Sequence, residues 1–377
     1  MSLKIRIVSF QNAQNYGAIL QAYGLMKTIE GLGFNDVAFI NYKPRYLTER
    51  YSVFSRRFFK QDGASLTNRV KFILSLPVLI GTRLYRNYVL NLSRKHLLRQ
   101  TKNVYKDVES VKNVECNLII CGSDQIWNTW ITEKPDPIFY CEGKYNGLKR
   151  KITYAASTEL NTFRKKENVE VIKSLLDNID SISVREEAVK NYLELLLERD
   201  IHLCVDPTIL CGKKPFLSIA SRRRIKNPYI LVYAYDIKDD KISRLIRSIP
   251  EYQNYEIHYL SFGASSLSNL LNMRIHSSVS IEDFLSFFLY ADYVVTNSFH
   301  GLAFSLLFEK NFNVSFVDGL STRIESLLNQ IHLYGRLVRN FEEITWNNID
   351  YEATNKRLSE IREESLTFLK NNLNELK

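Results

Sequence analysis

Strand-like and helix-like patterns alternate along nearly all of this 377-residue chain, and a parallel sheet wrapped in helices is the architecture that absorbs such alternation. Lys4 to Phe10 and Val37 to Tyr42 read as strands around a helix over Gly17 to Glu30. After a basic stretch, strands follow at Asn117 to Ile120, Lys151 to Ala155, Ser181 to Val184 and His202 to Val205, with helices over about Arg164 to Leu176 and Glu186 to Leu197. Asp206-Pro207 breaks the pattern. A second block carries strands at Tyr229 to Tyr235, Glu256 to Leu260, Tyr293 to Thr296 and Asn313 to Val317, with helices near Lys241, Ile281 and Leu302. A charged helix over roughly Tyr351 to Leu376 ends the chain. Two such blocks predict an α/β protein of two Rossmann-like domains facing across a cleft. The first is expected over residues 1–205, with a basic helical insertion at about 43–110, and the second over 206–345, before a tail over 346–377. The segment Asp206 to Arg224, with Pro207 and Pro215, is the expected hinge.

Hydrophobic residues at 45% and charged residues at 24% describe a soluble globular chain. Five cysteines without C-x-x-C spacing speak against a disulfide framework or a zinc site and fit reduced thiols in a cytoplasmic protein. Lys4 to Phe10 is too short and too alternating for a signal peptide, and the longest apolar run, Phe72 to Ile80, is about half of a membrane span. The net charge of +10 sits almost wholly between Tyr51 and Lys102, where eleven Lys or Arg residues meet one acid, Asp62. Base-stacking aromatics such as Phe58, Phe59, Tyr85 and Tyr88 would suit nucleic acid. The cations here instead alternate with Leu, Ile, Val and Phe at helical spacing, as in Val78 to Leu90, which suits a helix lying on an anionic membrane surface. A packed insertion with a solvated basic face is the plain alternative, and nucleic acid is not an expected partner.

Residues 293–310, Y-V-V-T-N-S-F-H-G-L-A-F-S-L-L-F-E-K, carry the sharpest functional signal. A β-branched run ends at Thr296, Asn297 and Ser298 supply helix-capping chemistry, and Gly301 opens an apolar helix. Ser298 and His300 therefore stand at a strand's carboxyl end and a helix N-terminus, where open α/β sheets bind anions. Other polar segments share this placement: Asn15-Tyr16-Gly17, Ser123-Asp124-Gln125 with Trp127, Ala155-Ala156-Ser157, and Arg185-Glu186-Glu187. Each has a bland reading. Gly17 suits a tight turn, Arg185 an ion pair with a neighbouring carboxylate, Trp127 the core and Asp124 a helix cap. No G-x-G-x-x-G follows the first strand, and there is no G-x-x-x-x-G-K, no D-x-D and no histidine pair at metal-ligand spacing, so the chain calls for neither a dinucleotide, a P-loop nor a metal.

The segments N-Y-G-A-I-L-Q-A-Y (15–23), C-G-S-D-Q-I-W-N (121–128), Y-A-A-S (154–157), S-V-R-E (183–186), V-D-P-T (205–208) and N-S-F-H-G-L-A-F (297–304), taken in order, resemble the polysaccharide pyruvyl transferase family. The resemblance implies a GT-B-like fold and transfer of the enolpyruvyl unit of phosphoenolpyruvate to a sugar of a surface polysaccharide or its lipid-linked precursor, closing a cyclic pyruvate ketal without a cofactor. It places the donor at Arg185, Ser298, Phe299 and Gly301. Some members carry an Arg two positions before the His, where this chain has Ser298. The chemistry asks for cations and amide donors on phosphate and carboxylate, and for proton transfer. His300 is the candidate acid or acid/base, and Asp124 the base or sugar-orienting group. Asn15, Tyr16, Gly17, Ser123, Gln125 and Trp127 are assigned to the acceptor, with Tyr16 and Trp127 stacking on a sugar face. Such an enzyme would be cytoplasmic, peripheral at the inner face of the membrane. A GT-B glycosyltransferase, with Glu325 as its ribose-binding carboxylate, and a non-catalytic envelope-assembly protein are the competing readings.

Overall fold

The structure is a computed structural model and describes residues 3–50, 52, 66–235, 240–261, 272–317, 322–344 and 346–376. Among the described residues, nine strands precede Asp206: β1 (Lys4–Val8), β2 (Asp36–Tyr42), β3 (Gln100–Tyr105), β4 (Val114–Glu115), β5 (Leu118–Asp124), β6 (Tyr145–Asn146), β7 (Arg150–Ala156), β8 (Ser183–Val184) and β9 (His202–Leu203). Seven of them form one sheet in the order β3-β2-β1-β5-β7-β8-β9, while β4 and β6 pair separately. Beyond the short helices at 207–217, β10 (Tyr229–Tyr233), β11 (Glu256–Leu260), β12 (Arg274–His276), β13 (Tyr293–Thr296), β14 (Asn311–Ser315) and β15 (Leu337–Val338) form a second sheet, β12-β11-β10-β13-β14-β15. All pairings are parallel. The chain is therefore an α/β protein of two Rossmann-like sheets, a GT-B-like architecture.

Burial explains which strands the periodicity reveals. Every residue of β10 is buried, because helices cover both faces, so it reads as an unbroken apolar run. By contrast β3, Q-T-K-N-V-Y, is a polar edge strand with Lys102, Asn103 and Val104 exposed, and it carries no sequence signal. The short edge strands β12 and β15 are equally silent, and β14 lies two residues earlier than its apolar run suggests.

A 32-residue helix, Leu66–Leu97, fills the basic segment and crosses from β2 to β3. Leu90, Ser93 and Leu97 face inward, and so do two of its cations. Arg86 donates to the Ser261 carbonyl (3.2 Å) and lies 5.2 Å from the Tyr16 ring centroid. Arg94 donates to the Asn12 carbonyl at 3.1 Å. Val78, Leu84, Tyr85, Tyr88 and Leu92 form the exposed side. Phe58 and Phe59 lie outside the described residues. No helix among the described residues is long and apolar enough to cross a membrane.

Tyr16, the first residue of the Tyr16–Gly31 helix, joins the two sheets' layers. Its ring stacks on Phe284 at 4.6 Å between centroids and 11° between planes. Its hydroxyl donates to the Val279 carbonyl at 3.0 Å and accepts from the Val279 amide at 3.2 Å. The expected sugar-stacking role of Tyr16 is thus corrected: the ring is 1% exposed and serves as an interdomain bolt. The tail helix Tyr351–Asn374 returns to the first sheet, where Ser365 Oγ accepts from the Val205 amide and Asn372 Oδ1 from Arg150 Nε.

Truncating Tyr16 to Ala should cost about 3–5 kcal/mol, the usual loss for a buried aromatic. Tyr16→Phe, which keeps the stack and leaves the Val279 carbonyl short of a donor, should cost about 1–3 kcal/mol. Urea unfolding measures both, and a Tyr16→Ala protein as stable as the parent would show that the two layers hold together without this contact.

Candidate functional site

Each sheet has one point where strand order reverses, between β1 and β5 in the first and between β10 and β13 in the second. Chains leaving adjacent strands diverge there and open a crevice. Both points are tied by hydrogen bonds at the strand ends. Ser9 Oγ donates to the Ser123 carbonyl (2.8 Å), Thr296 Oγ1 donates to the Tyr233 carbonyl, and Asn297 Oδ1 accepts from the Tyr235 amide (2.8 Å). The two crevices meet, as Gly17 and His300 show.

His300 is the second residue of the Phe299–Leu307 helix and is 7% exposed. An added Cβ at Gly17 would sit 2.1 Å from His300 Nδ1, so Gly17 is there to make room for the imidazole across the domain boundary. Gly301 has a similar packing reason: its Cβ would lie 2.1 Å from Thr296 Oγ1, so the helix can approach its own strand only without a side chain. The helix begins at Phe299 rather than Gly301, and Ser298 occupies its N-cap position without a side-chain capping bond. The expected capping chemistry of Ser298 is therefore not used. Ser298 stands instead beside the Tyr235 phenol, whose pKa burial raises while Arg323, Ser298 and Asn15 pull it back. Asn15 itself caps the first helix, accepting from the Gly17 amide at 2.8 Å.

Asp206 is the hub of the polar network. Its Oδ2 accepts from Arg185 Nη1 (2.5 Å) and Ser123 Oγ (3.3 Å), while its Oδ1 accepts from the Thr208 amide (2.9 Å) and hydroxyl (2.7 Å). Arg185 also reaches Glu186 Oε1 at 3.4 Å, and its guanidinium carbon lies 4.5 Å from the Phe299 ring centroid. Glu186 Oε1 accepts from Ser157 Oγ at 2.6 Å. Arg323, at the start of the Thr322–Gln330 helix, is 9% exposed in the same cluster. Several buried polar atoms here have no hydrogen-bond partner: Arg185 Nη2, His300 Nε2, Glu186 Oε2 and Gln125 Nε2. Orphaned donors and acceptors are costly to bury. Their concentration at the crevice marks a place shaped for a ligand.

The charges sort themselves accordingly. Burial lowers the His300 pKa, Asp206 and Asp124 pull against it, and Arg185 and Arg323 add to the depression. The resting imidazole is therefore neutral, able to accept a proton. Burial tends to raise Asp206, but Arg185 and His300 outweigh it and hold the carboxyl below its ordinary range. Glu186 is raised by its burial despite Arg185. Burial lowers Arg323, and Arg185 lowers it further.

Of the residues singled out from sequence, the structure brings His300, Arg185, Asp124, Phe299, Ser298, Asn15, Gly17 and Gln125 to this crevice. Asp124 is half-buried with φ +81°, and its Oδ1 accepts from the Gln125 amide at 2.8 Å. Two assignments are corrected. Trp127 is 1% exposed, donates from Nε1 to the Phe139 carbonyl (2.9 Å) and stacks on Tyr140 at 5.4 Å, so it belongs to the core and offers no face to a sugar. Ser123 is fully buried, and its hydroxyl serves the Ala155 carbonyl and Asp206. Glu325, the ribose carboxylate of the glycosyltransferase reading, is ion-paired with Arg339. Asp206 and Arg323 went unassigned from sequence. Asp206 was visible as a break in the pattern and inside the V-D-P-T segment of the family resemblance, without a role, and Arg323 sits in a stretch with no recognisable motif.

A two-domain GT-B-like protein with an arginine- and histidine-bearing crevice at facing switch points is the class this arrangement defines. The model of the family described as polysaccharide pyruvyl transferase matches residues 15–314, and the chain belongs to that family. No curated protein matches the chain. Among solved structures, an O-GlcNAc transferase variant from Thermobaculum terrenum is 11% identical with a TM-score of 0.43, over 98% of this chain and 63% of that one, so the chain spans just under two thirds of that protein. The glycosyltransferase SnogD from Streptomyces nogalater is 10% identical (TM-score 0.43, 97% and 95% covered). The heptosyltransferase WaaC of E. coli with ADP is 11% identical (TM-score 0.39, 95% and 100% covered).

The neutral His300 has a consequence for stability. An unfolded imidazole takes up a proton near its ordinary pKa of about 6.5, whereas the folded one resists it, so His300 withdraws stability as pH falls below that value. Comparing parent with His300→Gln isolates this contribution from Glu186, which is raised and acts in the opposite sense. Urea midpoints between about pH 7 and about pH 5 should fall less steeply for the variant. A steeper fall in the variant would mean the imidazole is charged in the folded protein.

Proposed function

We propose that this pyruvyl transferase moves the enolpyruvyl unit of phosphoenolpyruvate to a sugar of a polysaccharide, or of its lipid-linked precursor, and closes it into a cyclic ketal. The observation that carries the reading is the pair of buried, partnerless nitrogens, Arg185 Nη2 and His300 Nε2, at the meeting of the two switch points. One offers a fixed cation to a phosphate or carboxylate, the other a proton site beside it. In the reaction a sugar hydroxyl adds to C2 of the donor, its proton is removed, and C3 takes up a proton to become a methyl group. A second hydroxyl then replaces phosphate at C2, which leaves as inorganic phosphate and completes the ketal.

His300 suits both proton steps because the donor changes its surroundings. Burial and the two guanidinium groups hold it neutral. A bound multivalent anion offsets those cations and raises the imidazole pKa, so it gains its acidic form where the donor is present. Asp124, half-buried nearby, is the base or sugar-orienting group, and the Gln125 carboxamide and Asn15 line the acceptor side. The donor needs no metal or organic cofactor in this scheme.

The exposed aromatic and aliphatic side of the Leu66–Leu97 helix, with Lys95 beside it, supports a peripheral position on the anionic inner face of the membrane in the cytoplasm, where a lipid-linked acceptor would be presented. Replacing Tyr85, Tyr88 and Leu92 together by Ser should release the protein from acidic vesicles while sparing turnover of a short soluble acceptor. A parent protein that does not float with anionic vesicles at low salt would remove the membrane from this reading.

The direct test is phosphate release from phosphoenolpyruvate with galactose-, mannose- and glucosamine-type acceptors. His300→Ala should fold normally and slow that release by about 10² to 10⁴, the usual share of one acid/base group. A variant within a few-fold of the parent would exclude His300 from the chemistry.

A further inference from the structure

We infer that Arg323, which no sequence motif marks, is the second cation of an anion cradle whose first cation is Arg185. This deepens the donor reading above, because it assigns the two charged ends of one small molecule to two domains. Arg185 stands after β8 of the first sheet, and Arg323 opens the helix that follows β14 of the second. Arg323 is 91% buried by its 9% exposure, yet among the described residues no carboxylate forms an ion pair with it. That contrasts with Arg185, which is anchored to Asp206 and Glu186. A guanidinium this far buried and not ion-paired is only partly compensated by carboxylates that act on it from a distance, here Glu186, Asp124 and Glu159.

The surroundings point the same way. The helix that Arg323 opens lies against the Arg185–Glu187 segment, since Ser326, one turn on, accepts from the Glu187 amide at 3.4 Å, and Arg323 acts electrostatically on His300, Glu186, Tyr235 and Glu159 there. Burial lowers Arg323 and the like charge of Arg185 lowers it further, against the pull of Tyr235, Glu186 and Asp124, so the two guanidinium groups repel one another there. Asp206 neutralises only one face of Arg185, leaving Nη2 open. Two like charges held in a buried crevice beside unsatisfied donors form a site for an anion bearing at least two charged groups, such as a phosphate and a carboxylate on a short carbon frame. Because the arginines come from opposite domains, a ligand that bridges them also draws the domains together. Ser298 is uncharged and cannot supply this second cation.

The variants are Arg323→Gln and Arg323→Lys, studied in the full-length protein. Without ligand, Arg323→Gln should melt at the parent's temperature or above it, since removing one of two repelling charges relieves the site. Inorganic phosphate should raise the melting temperature of the parent and do so much less for Arg323→Gln. Affinity for phosphoenolpyruvate, measured by calorimetry, should weaken roughly ten- to a hundredfold in Arg323→Gln, the effect of one charge-assisted contact, with partial recovery in Arg323→Lys. Equal phosphate protection in parent and Arg323→Gln, or no protection of the parent, overturns the cradle. So does a lower melting temperature of the unliganded variant, which would make Arg323 a packing residue. The donor reading fails separately: phosphate would protect the parent through the cradle while no acceptor released phosphate from phosphoenolpyruvate.

Discussion

The buried contact between Arg185 and Asp206 organises the rest of the molecule. Burying either charge alone would be prohibitive, and the pair is viable because each is further bonded: Asp206 to Ser123 and Thr208, Arg185 to Glu186. Asp206 also follows the last strand of the first sheet and caps the Pro207–Cys211 helix, which packs on the first helix. One carboxylate thus pins the end of β5, the end of β8 and the interdomain connection, and at the same time decides which guanidinium nitrogen remains for a ligand.

From that anchor the crevice is assembled by close approach rather than by loops. Gly17 allows His300 to cross from the other domain, and Gly301 lets the helix bearing His300 press on β13. Tyr16, next to Gly17, fastens the same junction through Phe284 and Val279. The residues that position the imidazole and those that hold the domains together are therefore sequence neighbours. A shift of the domain interface would move His300 relative to Arg185, because the two side chains belong to different sheets.

The basic segment shows how misleading charge counted along a chain can be. Its excess of cations suggests a solvated face, yet Arg86 and Arg94 turn inward to carbonyl groups, and among the described side chains the exposed side is largely aromatic and aliphatic, with Lys95 and His96 near its end. Helical spacing told which residues share a face, but not which face the second domain would cover. That depended on where Ser261 and the loop before Phe284 arrive, more than a hundred residues later in the chain.

The sequence alone determined the alternating α/β order, the central strands β1, β2, β5, β7, β10, β11 and β13, and the polar strand ends where His300, Arg185 and Asp124 stand, because two-sided burial and helix-capping chemistry are local properties. It also carried the family, through motifs in fixed order. Only the tertiary structure decided the rest. Edge strands such as β3 exist by pairing with a neighbour, not by their own composition. Trp127 and Tyr16 became core and interdomain contacts because aromatic rings at strand ends are buried by whatever packs over them. Asp206 and Arg323 acquired meaning because charge acts through space: their partners and rivals lie far away in sequence and within one crevice in the fold.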